Sequence, residues 1–385
     1  VSGVPQYILP GPNAVASGKT FLKVLNVGGM GQATGLAGIP VVKTENGAVL
    51  PSGVFELSQG HVDAGAYEYR LRSDAQGASL YALGDGGAQT SYRAEASLLM
   101  ALPAQLRQAD LAMLGTLYQR VGEYTGVGNE GLGASKVWGR WLHSEPRIRQ
   151  QGVLGTQSRA DLSGFQLGLD LWRQGSWSAG AYIGQLQGDM HVRGFSGGLQ
   201  GVDVGRNSLR SRYLGGYATY QSDRGWYMDA VLQVADYRSD LRTQRDARAV
   251  TKGHGWLASV ELGKNWSLPA GWALEPQVQL VHRHAHMKGT ALAATQVGIE
   301  AADDWMLRLG ARIHGRLATP WGVVQPSIRA NIYRAGRTTD VLQFVTSHAT
   351  TQLQGYGGHT SSEVLVGGSW RLTPLTGMQV ELGKM

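Results

Sequence analysis

The sequence predicts an all-β chain whose larger part closes into an antiparallel transmembrane β-barrel with one α-helix in its lumen. Three observations predict it. Segment after segment alternates apolar and polar residues over about ten positions, the length a tilted spanning strand needs. Aromatic residues recur beside compact turns. One long helical stretch, too polar to face lipid, stands alone among strands.

Composition agrees. With 56 glycines, 11 tryptophans and only 16% charged residues, the chain is glycine- and aromatic-rich and not of the disordered class. It contains no cysteine, as suits a chain that crosses an oxidising compartment unfolded. No signal peptide opens it at Val1, which predicts a mature or engineered fragment. No run of eighteen apolar residues occurs, which excludes a helical spanner and leaves a barrel open. The net charge of +7 is spread over strand-like segments, so no nucleic-acid tract is predicted.

Residues 1–90 form the first unit. TFLKVLNV, IPVVKT, GVFELSQG, VDAGAYEYRL (62–71) and ASLYALGD read as short strands separated by Gly, Pro and Asn. They fit either an independent β-sandwich or the last rungs of a longer β-solenoid. Residues 91–133 are a linker, and PAQLRQADLAMLGTLYQRVGE within it predicts a helix at about 103–123, with Pro103 in its first turn. Such a helix is about 31 Å long, near the thickness of a bilayer's hydrocarbon. Its charged residues, Arg107, Asp110, Arg120 and Glu123, predict a solvated rod inside the barrel.

The barrel is read over 134–385. Trp177, Trp226, Trp272 and Trp321 follow short turns at intervals of 49, 46 and 49 residues, a repeating hairpin pair with an aromatic girdle at one membrane interface. One face of the strands carries Trp226, Met228, Ala230, Leu232 and Val234, then Val260, Leu262, Leu307 and Leu309. The opposite face carries Tyr227, Asp229, Gln233, Glu261 and Glu275. Linkers at the other end, approximately 145–158, 189–209, 238–254, 287–304 and 335–361, read as long loops. Short turns are periplasmic and long loops extracellular. The first strand, SKVWGRWLHSE, then starts at the periplasmic end, and the helix must thread the lumen for residues 1–90 to lie outside the cell.

The lumen-facing arginines invite a pairing. Arg308, Arg312 and Arg316 share one inward face, Arg329 follows on the next strand, and Arg140 lies on the first. Two arrangements fit: some of these arginines, with Arg140, face the helix and meet Asp110 or Glu123, or they stand in a water-filled lumen, solvated or paired with barrel acids such as Glu261 and Glu275. His282, His284 and His286 lie on one strand face, but beyond the apolar run, as a solvated extension does. Asp303 and Asp304 are adjacent and so point to opposite faces, which does not suit a water-activating pair. No catalytic, cofactor or metal site is assigned, and the chain reads as no enzyme.

With helix, hinge and hairpins in place, ALPAQLRQADLAMLGTLYQRVGE leading to VWGRWLHSE closely resembles the linker helix and first barrel strand of type V secretion autotransporters. VDAGAYEYRL resembles the autochaperone end of a pertactin-like passenger. The resemblance covers essentially the whole chain. It implies a 12-stranded barrel in the Gram-negative outer membrane, through which an N-terminal passenger reaches the cell surface. It also implies outer-membrane lipid and lipopolysaccharide, the barrel assembly machinery and periplasmic chaperones as partners, and a monomeric barrel. Two departures stand out. Eleven strands are readable, the last being GMQVELGKM, and the closing strand with its terminal aromatic is missing from the sequence. The helix lacks the Asn-Asn pair of self-cleaving members, with Asn129 alone in the hinge GVGNEGLGAS, so no cleavage residues are carried over. The alternative is a porin-like channel or outer-membrane enzyme with an N-terminal extension.

Overall fold

A computed structural model describes residues 7–9, 11, 14–29, 31–36, 38–84, 89–122, 137–320, 322–373 and 376–384. The N-terminal unit contains β1 (Tyr7–Leu9), β2 (Thr20–Leu22), β3 (Ile39–Thr44) and β4 (Phe55–Leu57). It continues with β5 (Val62–Ala64), β6 (Tyr67–Asp74) and β7 (Gly77–Tyr81). β1 pairs with β3 and β2 with β4, both in parallel, with Tyr7 opposite Val42 and Thr20 opposite Phe55. A parallel bridge also joins Val15 to Val49. These partners lie 34 or 35 residues apart, so the chain coils once upon itself as a solenoid rung does. The antiparallel run β3–β7–β6–β5 then ends the coil. Leu22, Val42, Leu50, Leu57, Tyr69 and Leu80 form the unit's buried core. Of the two readings left open by the sequence, the solenoid describes this geometry.

The helix is α1 (Ala94–Leu114), followed by α2 (Leu117–Val121). It begins well before Pro103, which lies inside α1 and not in its first turn. The apolar run SLLMAL supplies the extra length, because its side chains find buried partners within the barrel. Gly115 separates α1 from α2 at φ 62° and ψ −168°, a backbone state that only glycine adopts without strain. Thr116 then caps α2 through a reciprocal capping box with Gln119.

The next strands are β8 (Val137–Ser144), β9 (Arg147–Arg149), β10 (Gln151–Gly152), β11 (Gln157–Gln174), β12 (Trp177–Ser196), β13 (Leu199–Gln221) and β14 (Trp226–Thr243). Then come β15 (Arg248–Lys264), β16 (Trp266–Ser267), β17 (Trp272–Met287), β18 (Thr290–Leu292), β19 (Thr295–Glu300) and β20 (Asp304–Gly315). The last are β21 (Leu317–Thr319), β22 (Gly322–Ala335), β23 (Thr338–Val345), β24 (Thr350–Gly357), β25 (Thr360–Thr373) and β26 (Thr376–Lys384). Eleven of them hydrogen-bond in one antiparallel path, β26-β25-β22-β20-β17-β15-β14-β13-β12-β11-β8. Among the described residues no ladder joins β8 to β26.

The faces divide as the alternation predicts. Trp226, Leu232, Leu262 and Leu307 are exposed on the outer wall, while Tyr227, Asp229, Gln233, Glu261 and Glu275 are buried inside. The extracellular linkers are not plain loops. β12–β15 continue as long ribbons through much of 189–209 and 238–254, and β10, β24, β23, β19 and β18 build a second sheet. Alternation persists beyond the apolar belt there, and only the outward residues change from apolar to charged. No described helix is long and apolar enough to cross a membrane.

Candidate functional site: the occupied bore

The helix enters at the extracellular end and descends towards the periplasmic turns. Ser97, near its start, donates to the Phe195 carbonyl at 2.9 Å and accepts from the Phe195 amide at 3.1 Å, beside the tip of the β12–β13 hairpin. Arg120, near its end, holds both oxygens of Asp229 at 2.7 Å, close to the periplasmic start of β14. This polarity puts residues 7–84 outside and the end of α2 near the periplasmic mouth; the hinge lies outside the described residues.

The outer half of the bore is apolar. Leu98, Leu102, Leu106, Ala109 and Met113 are fully buried against wall residues such as Leu162, Leu186, Met190, Leu209 and Leu241. This overturns the expectation of a solvated rod along its whole length. The helix packs chiefly on β11–β14 and not centrally. A cleft remains on its other flank, lined in part by Arg107, Leu111, Arg283, Met306, Tyr333 and His359. The amide nitrogen of Asn207 ties the wall to the helix there, donating to the Leu98 carbonyl (2.9 Å) and the Gln105 side chain (2.8 Å).

Midway, Arg107 grips Asp340 with both terminal nitrogens, and Arg283 donates to the Arg107 carbonyl at 2.7 Å. Asp110 accepts from the Tyr237 hydroxyl at 2.8 Å. Among the described residues, then, its direct hydrogen-bond partner is a tyrosine and not one of the proposed arginines. Tyr237 faces inward on β14, directly opposite the helix, and a phenol there satisfies the acid without burying a second full charge.

The inner half is a charge network. Arg140 donates to the Ala112 carbonyl at 3.3 Å and to that of Met113, just where α1 runs out of intrahelical donors. A Cβ on Gly115 would meet this guanidinium at 2.5 Å. The Leu117 amide donates to Glu261 at 3.2 Å, Tyr118 donates to Glu275 at 2.8 Å, and Arg329 donates to Thr116 at 2.9 Å. Arg308 lies 3.3 Å from Glu261, and Arg312 stands over the Tyr118 ring at 4.3 Å and 3.9 Å from Glu275. Arg140 and Arg329 touch the helix, but at main-chain carbonyls and the Thr116 hydroxyl and not at Asp110, while Arg308 and Arg312 lie beside barrel acids. Arg316 does not belong with them. β20 ends at Gly315, the alternation lapses, and Arg316 is exposed in the connection to β21. Glu123 and Trp321 lie outside the described residues. Trp177, Trp226 and Trp272 are exposed at the first position of their strands, at the periplasmic rim.

At the extracellular end, the buried acid Glu68 joins the N-terminal unit to the barrel. Glu68 accepts from Arg70 at 2.9 Å and from Arg245, in the β14–β15 turn, at 3.0 Å. Gly84 and Gly198 approach so closely that a side chain on either would strike the other's backbone. Tyr92 bridges Tyr67 and Phe195, with ring centroids at 5.5 and 5.7 Å. His61, Asp63 and Glu68 could together offer three metal ligands, but arginines already engage both carboxylates. A hydrogen bond and the charge of Asp63 hold the His61 pKa above its ordinary value, against the effect of burial.

Sequence reasoning missed Asp340, Tyr237, Gln105–Asn207 and Glu68–Arg245. Asp229 was legible as inward-facing, but not as the partner of Arg120. Asp340 was hidden because 335–361 read as loop.

Residues 137–383 match the family model described as autotransporter beta-domain, and 8–71 match autochaperone domain type 1. The chain belongs to the autotransporter family. It is 29% identical over 329 residues to the BrkA autotransporter of Bordetella pertussis, covering 82% of this chain and 30% of that protein. It is 31% identical over 208 residues to the pertactin autotransporter of Bordetella bronchiseptica, covering 52% of this chain and 22% of that protein. The chain therefore spans less than a third of these relatives. The transport unit of AIDA-I from Escherichia coli shares the fold at a TM-score of 0.59 and 16% identity, covering 76% of this chain and 93% of that structure. The translocator domain of NalP from Neisseria meningitidis gives 0.52 at 12%, covering 74% and 90%. The autotransporter barrel lies in the outer membrane and exports the passenger that precedes it.

Proposed function

We propose that residues 1–90 are the C-terminal end of a passenger, that 91–133 form the pore linker, and that 134–385 are the translocator that displays the passenger outside. The helix is the last segment to pass, and it stays behind as the plug. The observation that carries this reading is the anchored polarity of the helix, with Ser97 at the outer hairpin tip and Arg120 at the inner end of β14. A secreted segment halted in transit has that direction.

The barrel works as a monomer, without covalent chemistry, cofactor or nucleic acid. Its partners are outer-membrane lipid and lipopolysaccharide, the barrel assembly machinery that inserts it, and periplasmic chaperones that keep it unfolded beforehand. The N-terminal unit serves as an autochaperone, its parallel rung offering an edge on which an emerging passenger pairs.

Conductance of the purified chain in planar bilayers, with and without residues 91–125, tests this. The plugged chain should stay near baseline, and the shortened one should conduct through a wide pore. Equal conductance would favour the porin-like alternative. Protease added to intact cells should remove residues 1–90 and leave the barrel intact.

A further inference from the structure

The outer wall carries an ordered charge pattern that the plug and passenger do not use. In the strand registers Arg147 is opposite Arg159, Arg159 opposite His191, His191 opposite Arg206, Arg206 opposite Arg242, and Arg242 opposite Arg248. Six basic side chains from neighbouring strands therefore lie in one transverse row. All six point outwards and are exposed or half-exposed. A second row, four residues nearer the membrane on β13 and β14, sets Arg210 opposite Arg238 and Arg238 opposite Lys252. Between the rows lie Asp161, Asp189 and Asp240, fewer than the arginines and the lysine they separate.

Like charges directly opposite one another destabilise a sheet. Partial relief comes from Arg206 near Asp189 (3.5 Å), Arg238 on Asp240 (3.1 Å) and Arg242 on Asp246 (2.5 Å). Among the described residues, no side-chain hydrogen bond or ion pair engages Arg147, Arg159, Arg248, Arg210 or Lys252. An exterior that only needed solubility would mix the signs. Rows of one sign ask for an anionic surface.

The height of the rows says which surface. On β14 the outward residues are apolar up to Val234, and Trp256 lies opposite it on β15. His282 stacks on Trp305 at 4.3 Å along the same border. Arg238 is four residues further out, about 10 Å along the membrane normal for a strand tilted by roughly 45°. Arg242 is eight residues out, or about 19 Å by the same geometry. The first height is that of headgroup phosphates, the second that of the sugars attached to them.

We propose that these two rows dock the phosphorylated glycolipid of the outer leaflet, lipid A phosphates on Arg210, Arg238 and Lys252, and anionic core sugars on the row from Arg147 to Arg248. The proposal rests on the orientation given under Proposed function and commits to one side of the barrel. Lipid bound there would brace the ribbons of β12–β15, on which Arg245 and Gly198 meet the N-terminal unit.

The test uses the full chain in nanodiscs of zwitterionic lipid and measures retention of bisphosphorylated, hexa-acylated lipid A by native mass spectrometry. Arg210→Gln/Arg238→Gln/Lys252→Gln should lower apparent affinity roughly tenfold or more. Arg173→Gln/Arg224→Gln/Lys264→Gln, at the opposite rim, should leave it unchanged. The unmodified chain supplies a second measurement that needs no variant: it should prefer the bisphosphorylated to the monophosphorylated lipid and lose that preference in high salt. Equal retention of both lipids, or equal loss from both triple variants, overturns the proposal. Surface display of residues 1–90 is read separately by protease, so a display failure with normal lipid binding counts against the translocator reading alone.

Discussion

The two halves of the bore hold the same helix by opposite means. The outer half is a dry aliphatic seam in which Leu98, Leu102 and Leu106 pack on β11–β14. The inner half is a lattice of buried ions in which Arg120, Arg140, Arg308 and Arg329 meet acids, carbonyls and hydroxyls. Apolar contact is non-directional and tolerates sliding. Bidentate arginine contacts fix register, because leaving one charge unmatched is costly. A segment that slides through a pore and then stops is served by that order: a greasy outer sleeve and an inner latch. Gly115 sits at the junction and lets α2 turn so that Thr116 and Tyr118 reach Arg329 and Glu275.

Breaking the latch should have the largest effect. Arg120→Leu strands Asp229 in a buried site and is expected to remove about 3–5 kcal/mol of stability, read as a lower urea midpoint of the folded, heat-modifiable barrel. The double variant Arg120→Leu/Asp229→Leu should recover part of it; if the double is no better than the single, the latch is not a pair. In the sleeve, Leu106→Ala is expected to cost about 2–5 kcal/mol by the same measurement, because the rigid wall cannot close on the cavity. Its conductance should stay low, whereas the latch variant should flicker open.

Gly115→Ala probes the junction. It imposes a side chain on a glycine-only backbone state and against Arg140, for an expected loss of about 1–3 kcal/mol. Unchanged stability would mean that the break in the helix is not a fixed feature.

The smallest effect lies outside the bore, at His61. Its pKa is raised in the folded state, so its contribution is fully present below the unfolded value of about 6.5 and fades as pH rises through the higher folded value. Because the His61–Asp63 pair is partly open to water, the expected effect is under about 1 kcal/mol. Proteolysis of the N-terminal unit should quicken slightly between about pH 6 and 8, and His61→Gln should flatten that slope.

Much of the barrel could be read without coordinates, because alternation with a period of two assigns each side chain to a face once the strand is found. That rule alone puts Asp229, Glu261, Glu275, Arg308 and Arg312 inside, where all five are buried. Where the strand ends the rule ends, and Arg316, just past Gly315, falls outside its reach. The start of the helix was missed because AEASLLMAL looks apolar enough to be something else, and Pro103 looked like a beginning. Partners across the bore were illegible: Asp110 and Tyr237 are 127 residues apart.

What the sequence determined by itself was the architecture, through strand length, turn length and the sign of each face, all of them local properties. Tertiary structure alone decided which half of the lumen is dry, which acid meets which arginine, and that the cations outside fall into rows. Those depend on strand register and on where the helix lies in the bore, and both are set by contacts between residues far apart in the chain.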